Sequence, residues 1–368
     1  MNPAEHLTWI ADAISKDLYA PFEVEKDNDY YPDLQKRFSK LKKDAESAKA
    51  DEESIKIINK FTSKIMEALR KYYYGKVSSS HMIIKNLVKN CLDSGLAVTN
   101  INSTVAFLGS VDTELQLFRA RTGDPKGYPA KEMLHLPYSM RSKTGNYRFS
   151  IPGLPSLYLG NSSYACWLEL GLPSASEFNV SPVALDGKQR IFNLVIMNRD
   201  HHLLNDYSAD KVHSWLKLLI FMVATSYRVK EKNRTFKSEY NISQSIMLAC
   251  KSYGLDGIAY YSKRVEDQMF AQAAINLALF TDYKKGQEYS ELCKHIKVGN
   301  SYNYFMFQRL NTVDIDYELR STHTPFINNI GNYERQNTYR ETNFCSFDKF
   351  LYSGWDKDFI KWGNALEK

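Results

Sequence analysis

NYRFSIPGLPSLYLGNSSYACWLELG, residues 146–171, decides the fold. An arginine-bearing loop leads through an Ile-Pro-Gly turn into a short β-like run, Ser156–Leu159 (SLYL), and Ser163–Leu170 then reads as the start of a helix. Upstream, Leu115–Ala120 (LQLFRA) is another β-like run. Between the two runs, residues 121–156 hold Gly123, Pro125, Gly127, Pro129, Pro137, Gly145, Pro152, Gly153 and Pro155. A loop-rich stretch of this length usually carries function. Downstream come a further β-like run, Arg190–Met197 (RIFNLVIM), and helical periodicity over Val212–Tyr227 and Ile242–Ser252. Gly257–Ser262 (GIAYYS) and Ile275–Phe280 (INLALF) read as strands. Strands and helices mixed without regular alternation predict an α+β fold rather than a doubly wound sheet.

The flanks have a different texture. In the N-terminal part Ile58, Phe61, Ile65, Ala68, Leu69 and Tyr72 recur in steps of three and four, defining one helix face with Gly75 as its stop. A second helix is predicted over Ser79–Leu92. Lys26–Lys56 carries dense mixed charge and reads as a surface helix or a solvated linker. The texture changes near Leu108, and from about Asp282 the chain is polar and aromatic with no strong period. The expected division is an all-α N-terminal domain over 1–105, a mixed domain over 106–285, and an extension over 286–368 packing on it.

Composition excludes several classes. The chain has 368 residues with 43% hydrophobic and 24% charged, values of a globular protein and not of a disordered one. The net charge of +6 is spread along the chain. A dedicated DNA binder concentrates its basic residues more strongly, and the balance suits a phosphate-bearing ligand equally well. Cys91, Cys166, Cys250, Cys293 and Cys345 are odd in number and have no CxxC spacing, which fits neither a zinc knuckle nor a secreted disulfide frame. Free thiols point to a reducing cytoplasm. The N-terminus lacks the pattern of a signal peptide, and the longest apolar stretch, Leu216–Thr225, is too short for a membrane span. No P-loop, GxGxxG, HExxH or GxSxG motif is present.

What remains is a constellation of Arg119, Arg148, Tyr158, Glu169 and Ser262. Glu169 falls on the predicted helix among Trp167, Leu168 and Leu170, where a carboxylate is expensive to bury unless paired. Two arginines can pair it and also grip a diphosphate in bidentate fashion.

These residues lie in blocks that resemble a RES domain, named for an Arg, a Glu and a Ser. The blocks are LFRAR (Leu117–Arg121), the 146–171 stretch, DGIAYYSKR (Asp256–Arg264) and NLALF (Asn276–Phe280). SEYNISQSIMLACKSYGLDGIAYYS (Ser238–Ser262) adds Gln244 and the DGI turn. The helical front end resembles the HEPN-like domain often fused to RES domains. Arg70 and His81 are too far apart for the Arg–His spacing of HEPN ribonucleases, so RNA cleavage is not predicted.

The resemblance implies an ADP-ribosyltransferase-like mixed β-sheet core with flanking helices, NAD+ as substrate and no metal. Family members include toxins of toxin–antitoxin pairs, and an anti-phage defence effector fits the same chemistry. They split the nicotinamide–ribose bond by hydrolysis or phosphorolysis, or transfer ADP-ribose to a macromolecule. A non-catalytic nucleotide-sensing module is the third reading. The implied partners are an inhibitory antitoxin or regulatory protein and, by default, a second copy of the chain, with no membrane. Carried over, Arg119 and Arg148 hold the pyrophosphate, Tyr158 stacks on nicotinamide or adenine, Glu169 faces the ribose, and Ser262 bonds a ribose or amide.

Departures from the family pattern are the arginine block Asn146–Ser150, without two glycines or a final Asn, and the long loop carrying His135 and Arg141. Each residue also has a bland reading. Arg148 can be a surface loop residue, Arg119 a structural partner of Glu169, Tyr158 a core residue, and Ser262 a strand-end cap. Glu169 can be an exposed helix residue. His135 reads as structural before catalytic, and Arg141 as a lid contact or a solvated charge. Arg121 competes with Arg119, since alternate strand positions share a face.

Overall fold

A computed structural model describes residues 9–10, 18, 20–25, 29–93, 97–100, 115–195, 209–231, 233–264, 274–310, 329–330, 337–339, 342–353 and 360–361. The texture change near Leu108 and the end of the Arg190–Met197 run lie outside these residues. The helices are α1 (Tyr30–Ser47), α2 (Glu52–Tyr73), α3 (Val77–Leu92), α4 (Ser163–Glu169), α5 (Ala209–Thr225), α6 (Asn241–Ser252), α7 (Tyr304–Leu310) and α8 (Asn343–Ser353). The chief strands are β1 (Leu115–Thr122), β2 (Ser156–Gly160), β3 (Phe178–Leu185), β4 (Gly257–Tyr261), β5 (Ile275–Phe280), β6 (Ile296–Val298) and β7 (Tyr302–Asn303). The fold is α+β, and contacts divide the chain into two compact units.

Both units are discontinuous in sequence, whereas the expected boundaries at 105 and 285 were sequential. The first unit joins Met1–Val98 to Asn146–Ser150 and Phe192–Leu255, so α5 and α6 belong with the N-terminal helices. The second joins Thr99–Gly145, Ile151–Ile191 and Asp256–Lys368.

In the first unit α2 packs on α1, α3 and α5, and α3 packs on α6. Helix α2 starts where the Asp51 carboxylate accepts from Ser54 N at 2.9 Å, and it ends at Gly75, whose φ of +74° suits a residue without Cβ. Its apolar stripe is buried from Ile57 to Leu69. Helix α1 corrects the linker alternative for Lys26–Lys56: Tyr30, Leu34, Phe38, Leu41 and Ala45 are buried at helical spacing beneath the charges. The charge density had masked that stripe.

The second unit is built on an antiparallel sheet with strand order β6–β3–β1–β2–β5–β4, and β7 pairs farther along β3. All residues of β3, β4 and β5 are buried. Strand β3 carries Pro182 in its interior, a residue that argues against a central strand. The structure explains its tolerance. Pro182 O accepts from Gly299 N at 3.0 Å, and in an antiparallel strand a residue's N and C=O face the same neighbour. The missing N–H therefore faces the break between β6, paired with Val183–Leu185, and β7, paired with Asn179–Val180. The later segment supplies core as well: Tyr304, Phe307, Phe347, Leu351 and Tyr352 cluster with Phe118, Ala120, Cys166, Phe178 and Val180.

Candidate functional site

Strand β1 pairs with β3 over eight positions, Leu115↔Leu185 to Thr122↔Phe178. With β2 it shares one rung among the described residues, Phe118↔Gly160. The sheet is therefore split beyond Phe118. At the split Arg119 Nη1 donates to Tyr158 O at 2.9 Å, so a guanidinium stands where the next ladder bonds would be. Both side chains are half-buried. Gly160 closes the other end of the gap. A Cβ there would lie 2.9 Å from Cys166 Sγ, so glycine lets α4 sit against the end of β2.

Helix α4 has 7 residues and carries Glu169 at its last position. Too short to be stable alone, it is fastened at its start. Ser162 Oγ accepts from Ala165 N at 3.0 Å, and the buried Asp348 on α8 accepts from Ser163 N at 3.0 Å. Tyr339 OH donates to the other Asp348 oxygen at 2.5 Å. Burial pushes the Asp348 carboxyl up from 3.8 to about 7, against the pull of these donors.

Glu169 is half-buried, and two side chains meet one of its oxygens. Ser262 Oγ donates to Oε1 at 2.7 Å, and Asn276 Nδ2 donates to the same atom at 2.6 Å. Ser262 is fully buried, and its Oγ also accepts from Arg264 N at 3.2 Å, which leaves its proton for Glu169. Asn276 on β5 pairs with Gly160, two positions along β2 from Tyr158. The β5 residue that holds Glu169 thus sits opposite Gly160, two positions along β2 from the residue whose carbonyl accepts from Arg119. Cys166 feels both charges. Its thiol is pushed up to about 12 by burial first, and it donates to Phe118 O at 3.4 Å, so it is no nucleophile.

The predicted residues separate into groups. Arg119, Tyr158, Glu169 and Ser262 are brought together in the second unit, although the Ser262 proton is committed to Glu169 rather than left for a ribose or amide. Arg148 belongs to the first unit, where its guanidinium is buried. Its Nη1 and Nη2 donate to Thr225 O and Tyr227 O, and it lies 5.0 Å from the Tyr240 ring centroid. It caps the C-terminus of α5, where a cation is favoured, and both of these nitrogens are occupied there. That is neither the diphosphate grip nor the surface loop residue expected.

Arg121 donates to Glu132 O at 2.8 Å and stacks on Tyr128, tying down the long loop. His135 is buried, with Nδ1 on Leu136 O at 2.8 Å and Nε2 accepting from Ser290 N at 3.0 Å. Burial first, then the charge of Arg119, lowers it to about 4. It is a neutral structural imidazole. Arg141 is exposed and stacks on Tyr138 at 4.1 Å. Sequence reasoning gave no role to Asn276. The available signal was one amide side chain inside the apolar run INLALF. Among the described residues no group of three or more His, Cys, Asp or Glu is arranged to hold a metal, and no helix is long and apolar enough to cross a membrane.

No family model matches the chain. It is 28% identical over 258 residues, 63% of its length, to the Bacillus subtilis (strain 168) protein named "Putative toxin YopC". The chain spans 54% of that relative. Among solved structures it aligns with the M. tuberculosis MbcT–MbcA toxin–antitoxin complex at 10% identity and a TM-score of 0.27, over 58% of this chain and 98% of the other. A likeness at that level fixes neither fold nor function.

Proposed function

We propose that the second unit cleaves NAD+ at the nicotinamide–ribose bond and that the protein acts as a toxin. The observation that carries the reading is the Glu169 carboxylate. Its Oε1 is held by two donors, while Oε2 makes no hydrogen bond among the described residues. It lies beside a sheet split bridged by an arginine and a tyrosine strand. Similarity to a relative named as a toxin supports the biological half of the reading.

The chemistry follows from charge. Breaking the C1′–N bond sends its electron pair to the pyridinium ring, so nicotinamide leaves neutral and needs no acid. The ribose becomes oxocarbenium-like, and an anionic oxygen against it stabilises the developing charge. Glu169 Oε2 fills that role. Arg119 meets a pyrophosphate oxygen with its guanidinium, and Tyr158 offers a ring for stacking. Water or phosphate then bonds to C1′, and water releases its proton to solvent. Free turnover of NAD+ harms the cell that makes the protein, so a partner of antitoxin type holds it in check.

The test is purified protein with NAD+, with and without phosphate, followed by nicotinamide release. Glu169→Gln, which keeps the shape and removes the charge, abolishes release. No release from the parent under any condition, partner absent, overturns the proposal. With labelled NAD+, a dominant labelled macromolecule instead of free product assigns transferase activity. Calorimetric binding without product assigns a sensing module.

A further inference from the structure

We infer that Asn276 and Ser262 are positioning residues that act through Glu169. This rests on the NAD+-cleavage reading and deepens it. Both donors converge on Oε1 from different strand contexts, Asn276 from within β5 and Ser262 from just past the end of β4. Strands β4 and β5 are paired over five positions, so the spacing of the donors is fixed by the ladder. A carboxylate held at one oxygen by two donors has its rotation about the last side-chain bond locked. Its second oxygen is thereby aimed, and the entropy of aiming it is spent in folding rather than at the moment of reaction.

The two donors differ in how they are themselves held. The Ser262 hydroxyl can rotate, but Arg264 N–H occupies its acceptor side and turns the proton toward Glu169. The Asn276 side chain is 3% exposed, and its backbone is fixed in the ladder opposite Gly160 and Tyr260. Gly160, its partner in the ladder, lets α4 sit close against the end of β2, and the amide reaches Glu169 at the other end of that helix. Asn is suited to the position because it donates without charge. Aspartate there would set two carboxylates on one another, and leucine would fill the volume and leave Glu169 Oε1 with a single donor.

The roles predict a separation of kinetic constants. Asn276→Ala lowers kcat about ten- to hundredfold with KM nearly unchanged, the signature of an interaction realised in the transition state. Ser262→Ala behaves alike, and the double variant loses less than the product of the two, because the donors share one task. Asn276→Asp is the decisive variant. Two adjacent carboxylates resist ionising together, so nicotinamide release by this variant has its acid limb displaced upward by about one pH unit or more. An acid limb of Asn276→Asp in register with the parent, or a kcat of Asn276→Ala within about twofold of the parent, overturns the inference.

A second measurement does not need turnover. In protein carrying 13C-labelled Glu carboxyls, the Glu169 resonance, assigned by its loss in Glu169→Gln, moves in Asn276→Ala at fixed pH, because one of the two donors to its carboxylate is gone. An unmoved resonance overturns the positioning claim even if NAD+ is cleaved. A displaced resonance without NAD+ cleavage leaves the contact standing and removes the reaction assigned to it.

Discussion

Asp348→Asn separates the fastening of α4 from its chemistry. Asp348 is 1% exposed on α8 and accepts from Ser163 N and Tyr339 OH. Burial holds its carboxyl at about 7 in the folded protein, against 3.8 for an ordinary aspartate. The folded chain therefore keeps a proton that the unfolded chain releases between about pH 4 and pH 7. Its stabilising contribution is fully present below about pH 4 and is lost as pH rises through 7. Roughly three units of displacement correspond to a ceiling on the order of 4 kcal/mol between those limits.

Asparagine cannot ionise. It still offers an acceptor to Ser163 N but meets Tyr339 OH less well, for an initial loss of about 1 kcal/mol. Urea unfolding followed by circular dichroism at intervals from pH 4 to 8 reads the difference. The variant is slightly less stable than the parent at pH 4. The parent then falls relative to it as pH rises, and the order reverses before pH 8. Other carboxylates titrate equally in both chains and cancel in the comparison. Parallel curves across the whole range refute the reasoning.

Three further outcomes are expected. Arg148→Met strips the cap from α5 and leaves Thr225 O and Tyr227 O without their charged donor, lowering stability by at least about 3 kcal/mol in urea unfolding. A near-parent stability with weakened NAD+ binding would instead restore Arg148 to the ligand site. The His135 ring protons show no titration between pH 5 and 8 by NMR, since its folded value is about 4. Because that value lies below 6.5, the contribution of His135 to stability is lost as pH falls from about 6.5 toward 4. All five cysteines are buried, so a thiol reagent such as DTNB is inert toward the native protein at pH 8 and counts five thiols after denaturation.

Much of the second unit was legible because its strands are short apolar runs bounded by turn residues. SLYL, GIAYYS and INLALF all became strands within a residue of their predicted ends. What stayed hidden has specific causes. Pro182 concealed β3, since only the gap between two partner strands makes a proline harmless there. Asp348 concealed α8: Phe344, Phe347, Leu351 and Tyr352 keep helical spacing, but a carboxylate stands on the buried face among them. Arg148 could not be placed, because its partners are carbonyls 77 and 79 residues away, which leave no mark on side-chain pattern. Of the candidate site, the acid, the first arginine, the tyrosine and the serine were readable as residue types in quoted blocks. That the serine and Asn276 serve the glutamate, rather than a ligand, was visible only once the ladder set them side by side.

The fastening of α4 also sets an order of events in the cell. Translation runs from the N-terminus, and Ser163 leaves the ribosome 185 residues before Asp348 does. Through that interval the nascent chain carries Glu169 on a helix whose first turn has the Ser162 cap but lacks the Asp348 carboxylate. The helix that carries Glu169 is thus kept immature while the chain is being made, and α8 with Asp348 serves as the last stitch.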